Sequence, residues 1–319
     1  MNIDKLIGNT PMIKIKLKYK EKIINVYAKL EYYNYTGSIK DRLSNYIIKE
    51  SYKENTLKKN MPIIEATSGN TGISFAALGA LYNHPVHIFI PDSASKERIK
   101  IMKLYGANVH IVTKKDGGFK GAIHLADELA RKINGFRPNQ FRNTKNIEVH
   151  YKTTGKEITD KIKNIDGFVS GIGTGGTLIG IAKRIKKYNK HAKIIAIEPK
   201  QLPILTNKTY TGTHKIEGIG DDFVPELVDM KLIDDIISID DEDAINMTRI
   251  LAKKFGLGVG ISSGANLIAA AITGKNNNNI VTIFADDIKK YLSTKISNKI
   301  NTNKSLISNN IKILSINYV

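Results

Sequence analysis

Gly167-Phe168-Val169-Ser170-Gly171-Ile172-Gly173-Thr174-Gly175-Gly176-Thr177 passes from an apolar run through a glycine bend into a helical pattern. Residues 167–170 read as a strand and 178–187 as a helix. Glycines at such a bend let backbone N–H groups converge, and the helix start adds positive potential. With the hydroxyls of Thr174 and Thr177, the stretch reads as a phosphate cradle. It lacks the lysine of a Walker loop and does not match dinucleotide spacing, which disfavours a nucleoside triphosphate. Taken alone, the same residues also describe a tight turn that needs glycine.

The strand–loop–helix unit repeats outward from this bend. Strand-like runs lie at 25–30, 62–65, 86–90, 108–112, 193–198 and 280–284, and helical patterns at 41–53, 72–81, 95–105 and 119–133. Alternation of this kind predicts an α/β fold with mainly parallel sheets and helices on both faces. The apolar, β-branched runs fit strands buried on both sides. A loop at 134–147, containing Asn134-Gly135-Phe136-Arg137-Pro138-Asn139, marks a break between two such units, and 276–279 reads as a polar loop. The tail after residue 299 is Asn-rich and ends with alternating Ile311, Ile313, Ile316 and Tyr318, the pattern of an added edge strand or a disordered extension.

Three further polar loops precede helices. Tyr35-Thr36-Gly37-Ser38-Ile39-Lys40-Asp41-Arg42 places Lys40 just inside a helix start. The positive end of the helix and loss of water both lower an ammonium pKa, and a neutral amine attacks carbonyls. Thr67-Ser68-Gly69-Asn70-Thr71-Gly72 aims hydroxyls, an amide and helix-start N–H groups in one direction, which suits a carboxylate. Gly260-Ile261-Ser262-Ser263-Gly264-Ala265-Asn266 reads by itself as a helix cap.

Composition narrows the classes. The chain has 319 residues, 41% apolar and 25% charged, which suits a globular protein with a substantial core. It has no cysteine, which removes disulfides, thiolate metal sites and cysteine nucleophiles, and its seven histidines form no ligand motif, so no metal is expected. Net charge is 49 − 30 = +19. The basic residues are dispersed among abundant Lys, Asn and Ile, so a compositional bias is favoured over a nucleic-acid surface. No apolar run is long enough for a membrane span, and Met1-Asn2-Ile3-Asp4-Lys5 does not open a signal peptide. A cytoplasmic location is expected.

Five motifs in order, Ile7-Gly8-Asn9-Thr10-Pro11, residues 38–42, 67–72, 171–177 and 260–265, resemble the fold-type-II pyridoxal-phosphate enzymes, in the branch of cysteine synthase and cystathionine β-synthase. The resemblance runs to about Thr294. It implies two three-layer αβα domains, as in the tryptophan synthase β chain. They would be 36–142, with a mobile part at about 86–131, and 1–35 plus 143–300, with 301–319 as a tail. It implies a homodimer, and pyridoxal 5'-phosphate joined to Lys40, which then acts as the base at Cα. By the same resemblance Asn70 contacts the cofactor's ring oxygen. Gly173, Thr174, Gly175, Gly176 and Thr177 hold the phosphate, and Ser262 faces the pyridine nitrogen. Thr67, Ser68, Gly69, Asn70, Thr71 and Gln140 hold the substrate carboxylate. A neutral hydroxyl at the ring nitrogen makes a weaker electron sink, which favours β-elimination to an aminoacrylate and β-replacement over transamination.

The implied activity is β-replacement on cysteine, serine or O-acetylserine with sulfide as substrate or product. His150-Tyr151-Lys152-Thr153-Thr154-Gly155 resembles O-acetylserine sulfhydrylases, whereas Glu217-Gly218-Ile219-Gly220-Asp221-Asp222-Phe223 and Asp286-Asp287-Ile288-Lys289-Lys290-Tyr291 lean toward the cystathionine β-synthase type. A carboxylate near Cβ activates water or protonates a hydroxyl. Asp222 is therefore the expected acid–base residue of a cystathionine β-synthase-type or cysteine-to-serine, sulfide-producing reaction. Tyr35 and Thr36 depart from the family's usual proline and glycine or serine. No regulatory domain pair follows the core, so allosteric control through such domains is not expected. A serine or threonine dehydratase, a catalytically silent scaffold and a nucleic-acid binder are the competing readings.

Overall fold

The structure is a computed structural model that describes residues 3–207, 211–275 and 278–319. Met1 and Asn2 of the N-terminal segment, and Asn276 and Asn277 of the polar loop read at 276–279, lie outside the described residues.

The strands, in chain order, are β1 Met12–Tyr19, β2 Lys22–Leu30, β3 Ile63–Ala66, β4 Val86–Pro91, β5 Asn108–Val112, β6 Gly167–Gly171, β7 Lys193–Pro199, β8 Asp235–Ile239, β9 Asn279–Phe284 and β10 Lys312–Tyr318. They form a seven-stranded sheet of order β10-β1-β2-β9-β6-β7-β8 and a three-stranded sheet of order β3-β4-β5. Only β1 pairs antiparallel, with β2 and β10. The remaining pairings are parallel.

Both sheets are covered on two faces. Successive residues of a strand point to opposite sides. Along β7, Ile195 and Ile197 join the core under the helix Ile261–Thr273, while Ile194 and Ala196 join the core under the helix Gly176–Tyr188. In the small sheet Ile88 and Ile90 pack on one side with Ile73 and Phe75, and Phe89 on the other with Ala122 and Ala126. The result is three layers in each part, as the alternation of elements predicts.

Two strands escaped the sequence reading. β1 alternates Ile13, Ile15 and Leu17 with Lys14, Lys16 and Lys18, which is a legible strand pattern. Its hairpin to β2 turns through Lys20 and Glu21, with φ of 46° and 62°, and neither residue announces such a turn as glycine or asparagine would. β8 is short and half-exposed at the sheet edge. The tail takes the edge-strand alternative. Ile313 and Ile316 are three residues apart and would face opposite sides of a regular strand. A register shift opposite Lys16 and Leu17 re-phases the strand, and both pack against the core.

Candidate active site

Four loops meet at one cavity. Lys40 is the first residue of the helix Lys40–Lys53, and its N–H donates to Ser38 Oγ at 3.2 Å. Burial pulls the Lys40 ammonium below the ordinary lysine range, while the charges of Asp286 and Asp221 pull the other way. Next to it, Asp41 accepts from Thr36 N at 2.7 Å, from Thr36 Oγ1 at 2.5 Å and from Ser74 Oγ. The threonine that departs from the family pattern thus fastens the lysine loop to its helix.

Behind the helix lies a buried ion cluster. Arg42 pairs with Glu31 at 2.6 Å and Glu157 at 2.6 Å, and Lys29 with Glu157 at 2.8 Å. Burial alone would push the Glu31 carboxyl up; the Arg42 charge and hydrogen bonds, helped by Lys29, outweigh it and hold it at about 2.

Lys40, Thr67, Ser68, Asn70, Thr71 and Gln140 line one cavity. Thr67 Oγ1 accepts from the N–H of Gly69, whose φ is 155°. Thr71 Oγ1 donates to Gln140 Oε1 at 2.6 Å, and Gln140 Nε2 donates to Ala66 O at 2.8 Å. Glu65, pinned by Arg137 at 2.5 Å, accepts from the Gln140 N–H. The orientation of Gln140 is therefore fixed from β3.

The opposite wall is the glycine bend. Gly173, Thr174, Gly175 and Thr177 line the cavity, with Ser262 nearby at the start of its helix. Gly175 has φ 87°. A Cβ on Gly173 would stand 2.5 Å from Gly218 O, and one on Gly176 would collide with Asn146. Asn146, unnoticed in the sequence, donates to Thr174 Oγ1 at 2.8 Å and to Gln140 O at 2.9 Å, so one amide braces both walls. His150 bridges Thr177 and Thr154 at 3.2 and 2.9 Å. Burial, then the charges of Arg42 and Lys40, hold its imidazole down at about 3, and it stays neutral.

The acidic segment places its two adjacent aspartates differently. Asp222 is exposed and lines only an outer cleft. Its neighbour Asp221 lines both that cleft and the cavity of Lys40. Burial, then the charge of Asp222, pushes the Asp221 carboxyl up to about 7 against the pull of Lys40. Also missed was Arg98, a buried arginine that pairs with Glu217 and with Asp286 at 3.5 Å. Its signal was an arginine one helical turn before Met102, on the only buried face of its helix.

A lysine whose ammonium is pulled down by burial, the hydroxyls and amides of residues 67–71 and 140, and a glycine bend thus share one cavity. The family model of the pyridoxal-phosphate dependent enzyme matches residues 3–286. The chain belongs to the pyridoxal-phosphate-dependent enzymes. Within this family it is 38% identical over 300 residues to a cysteine synthase of Staphylococcus aureus, covering 92% of this chain and 96% of that one. A hydrogen sulfide-producing enzyme from Fusobacterium nucleatum superposes with a TM-score of 0.94 at 45% identity, over 99% of this chain and 97% of that one. That enzyme's aspartate-to-asparagine variant, complexed with an alpha-aminoacrylate intermediate, superposes with a TM-score of 0.95 at 45% identity, over 99% and 98%. The chain is thus an enzyme of the cysteine synthase type. Its residues fit the family's cofactor: Gly173, Thr174, Gly175 and Thr177 line the same cavity as Lys40, and Asn70 Oδ1 is buried there without a hydrogen-bond partner.

Proposed function

We propose that this chain catalyses β-replacement at Cβ of cysteine, serine or O-acetylserine, with sulfide as product or substrate. Its favoured turnover converts cysteine and water to serine and hydrogen sulfide. The observation that carries this choice is Asp221, a carboxyl held near pH 7 on the wall shared by the Lys40 cavity and the outer cleft. A group that titrates there gives a proton to a departing thiolate and takes one from an entering water.

Bound in the cavity, pyridoxal phosphate supplies the electron sink that loosens the bonds at Cα and Cβ. Lys40 holds it and moves the proton at Cα. Gly173, Thr174, Gly175, Gly176 and Thr177 hold its phosphate, with Ser262 at its ring nitrogen and Asn70 at its ring oxygen. Thr67, Ser68, Gly69, Asn70, Thr71 and Gln140 orient the substrate carboxylate. Closure of residues 86–131, within a unit spanning 36–142, against the other unit, 1–35 plus 143–300, shields the cavity from bulk solvent, while the reacting water enters beside Asp221. Among the described residues no helix is long and apolar enough to cross a membrane; a cytoplasmic homodimer is a separate part of the same proposal.

The names of the curated relatives favour a second reading, O-acetylserine plus sulfide to cysteine plus acetate. Product analysis separates the two. Cysteine alone should give serine and sulfide in equal amounts, and Asp221→Asn should lower that rate about 10²- to 10³-fold. Sulfide consumption with acetylserine, and no serine from cysteine, would reverse the assignment. Release of pyruvate or ketobutyrate alone would make it a dehydratase.

A further inference from the structure

Arg98 belongs to the helix Lys96–Leu104, between β4 and β5 of the small sheet, yet both acidic partners it has among the described residues lie in the other part of the chain. Its guanidinium pairs with Glu217, on the loop that leads to Asp221, and with Asp286, just after β9. It lies over the ring of Tyr291 at 4.5 Å. Its stem crosses Gly69, where a Cβ would collide with it, so the carboxylate loop carries glycine at the crossing point. Asp286 is itself shared: Asn70 Nδ2 and Tyr291 OH each donate to its Oδ2 at 2.7 Å. One buried cation therefore touches the carboxylate loop, the residue that fixes Asn70, and the loop of Asp221.

The geometry points to Arg98 as a positioning residue for the Asp221 loop: it couples seating of the Lys96–Leu104 helix to the placement of that loop, and so sets whether a turnover ends in serine or in pyruvate. This rests on the sulfide-releasing reading above. The loop is held on its inner side, where Gly220 N donates to Ile172 O at 2.8 Å and Ile219 joins the core, and is open on the other. Gly218 and Gly220 adopt φ of 91° and 73°, and a side chain on Gly218 would meet nothing within 4 Å, so the loop is not packed from that side. Glu217 and Asp221 both face the inner cavity and the outer cleft, and the Arg98–Glu217 pair stands at their junction. Two neighbours dock the same helix without touching the loop: Ser95 Oγ donates to Lys290 O at 2.7 Å, and Glu97 accepts from Ser293 at 2.7 and 2.8 Å. They provide a control for docking alone. With the loop displaced, cysteine and water still yield sulfide, but the remaining fragment is released as pyruvate and ammonia, a balanced outcome that needs no further reactant.

Two readouts on the holoenzyme test this. The first is hydrogen exchange of the backbone at 96–104 and 214–222. Arg98→Met should raise exchange about tenfold in both segments, Glu217→Gln should do so at 214–222, and Glu97→Gln should raise only 96–104. The second is the ratio of pyruvate to serine from cysteine, which Arg98→Met should raise at least fivefold and Arg98→Lys should partly restore. Unchanged exchange at 214–222 in both Arg98→Met and Glu217→Gln overturns the proposal, as does an equal response to Glu97→Gln. Should Arg98→Met fail to fold, Arg98→Lys and Glu217→Gln carry the same comparison. If wild-type enzyme makes no serine, the functional reading fails, while the exchange data still decide the coupling.

Discussion

Asp221 and Asp222 are adjacent in the chain, yet only Asp221 lines the cavity that contains Lys40, and the charge of Asp222 acts on it from outside. Burial and that charge together push the Asp221 carboxyl up to about 7. The two aspartates therefore give different variants. Asp221→Asn should abolish the titration near pH 7 in the rate of sulfide release. Asp222→Asn should keep the titration but move it toward lower pH, since a like charge that disfavours ionisation is gone. A pH–rate series for each variant checks both.

Lys40 carries the covalent part of the assignment. Purified protein should be yellow, and borohydride should trap the cofactor on the peptide that contains Lys40. Lys40→Ala should bind cofactor without that bond and lose at least 10³-fold in sulfide release. Peptide mass spectrometry after reduction checks the site. A colourless wild-type protein would favour the silent-scaffold reading.

Gly176 stands against Asn146, which braces Thr174 and the Gln140 backbone. Gly176→Ala forces a methyl group into that contact. Overpacking of this kind costs about 1–3 kcal/mol. The expected result is a lower Tm and weaker retention of cofactor, with the second effect larger than stability alone explains. Calorimetry and absorbance titration measure the two.

Glu31 predicts the acid response. Its carboxyl is held at about 2, below the ordinary 4.5, by Arg42 and Lys29 against the opposing effect of burial. A carboxylate depressed in the folded state contributes stability above its unfolded pKa, and loses it as pH falls from about 4.5 toward about 2. Glu31→Leu leaves Glu157 alone to balance the two buried cations Arg42 and Lys29 and should cost about 3 kcal/mol at pH 7. The difference from wild type should shrink at acid pH. Denaturant unfolding at pH 7 and pH 3 tests both parts.

Much of this was legible because the chemistry is local. A strand, a glycine bend and a helix start are neighbours in sequence, so the turn at Gly173–Thr177 and the helix start at Lys40 were legible, and the fold brings both to one cavity. Gln140 was placed only through resemblance. Its fixation by Glu65 and Thr71 spans about seventy positions and leaves no local trace. Asn146 sits in an unremarkable polar stretch, and nothing in its own neighbourhood says that its amide reaches Thr174. β1 was missed although its alternation is plain, because its turn through Lys20 and Glu21 lacks the usual residues.

The sequence alone determined the alternation of strand, loop and helix and the layered class of the fold, since each follows from periodicity or from backbone geometry within a few residues. Tertiary structure alone decided which of two consecutive aspartates turns inward and that Arg98 is buried between the two parts of the chain. The reason is physical: a side chain on an irregular loop is directed by the φ angles at Gly218 and Gly220 and by walls built from β3, β6 and β9, and no window of neighbouring residues contains those walls.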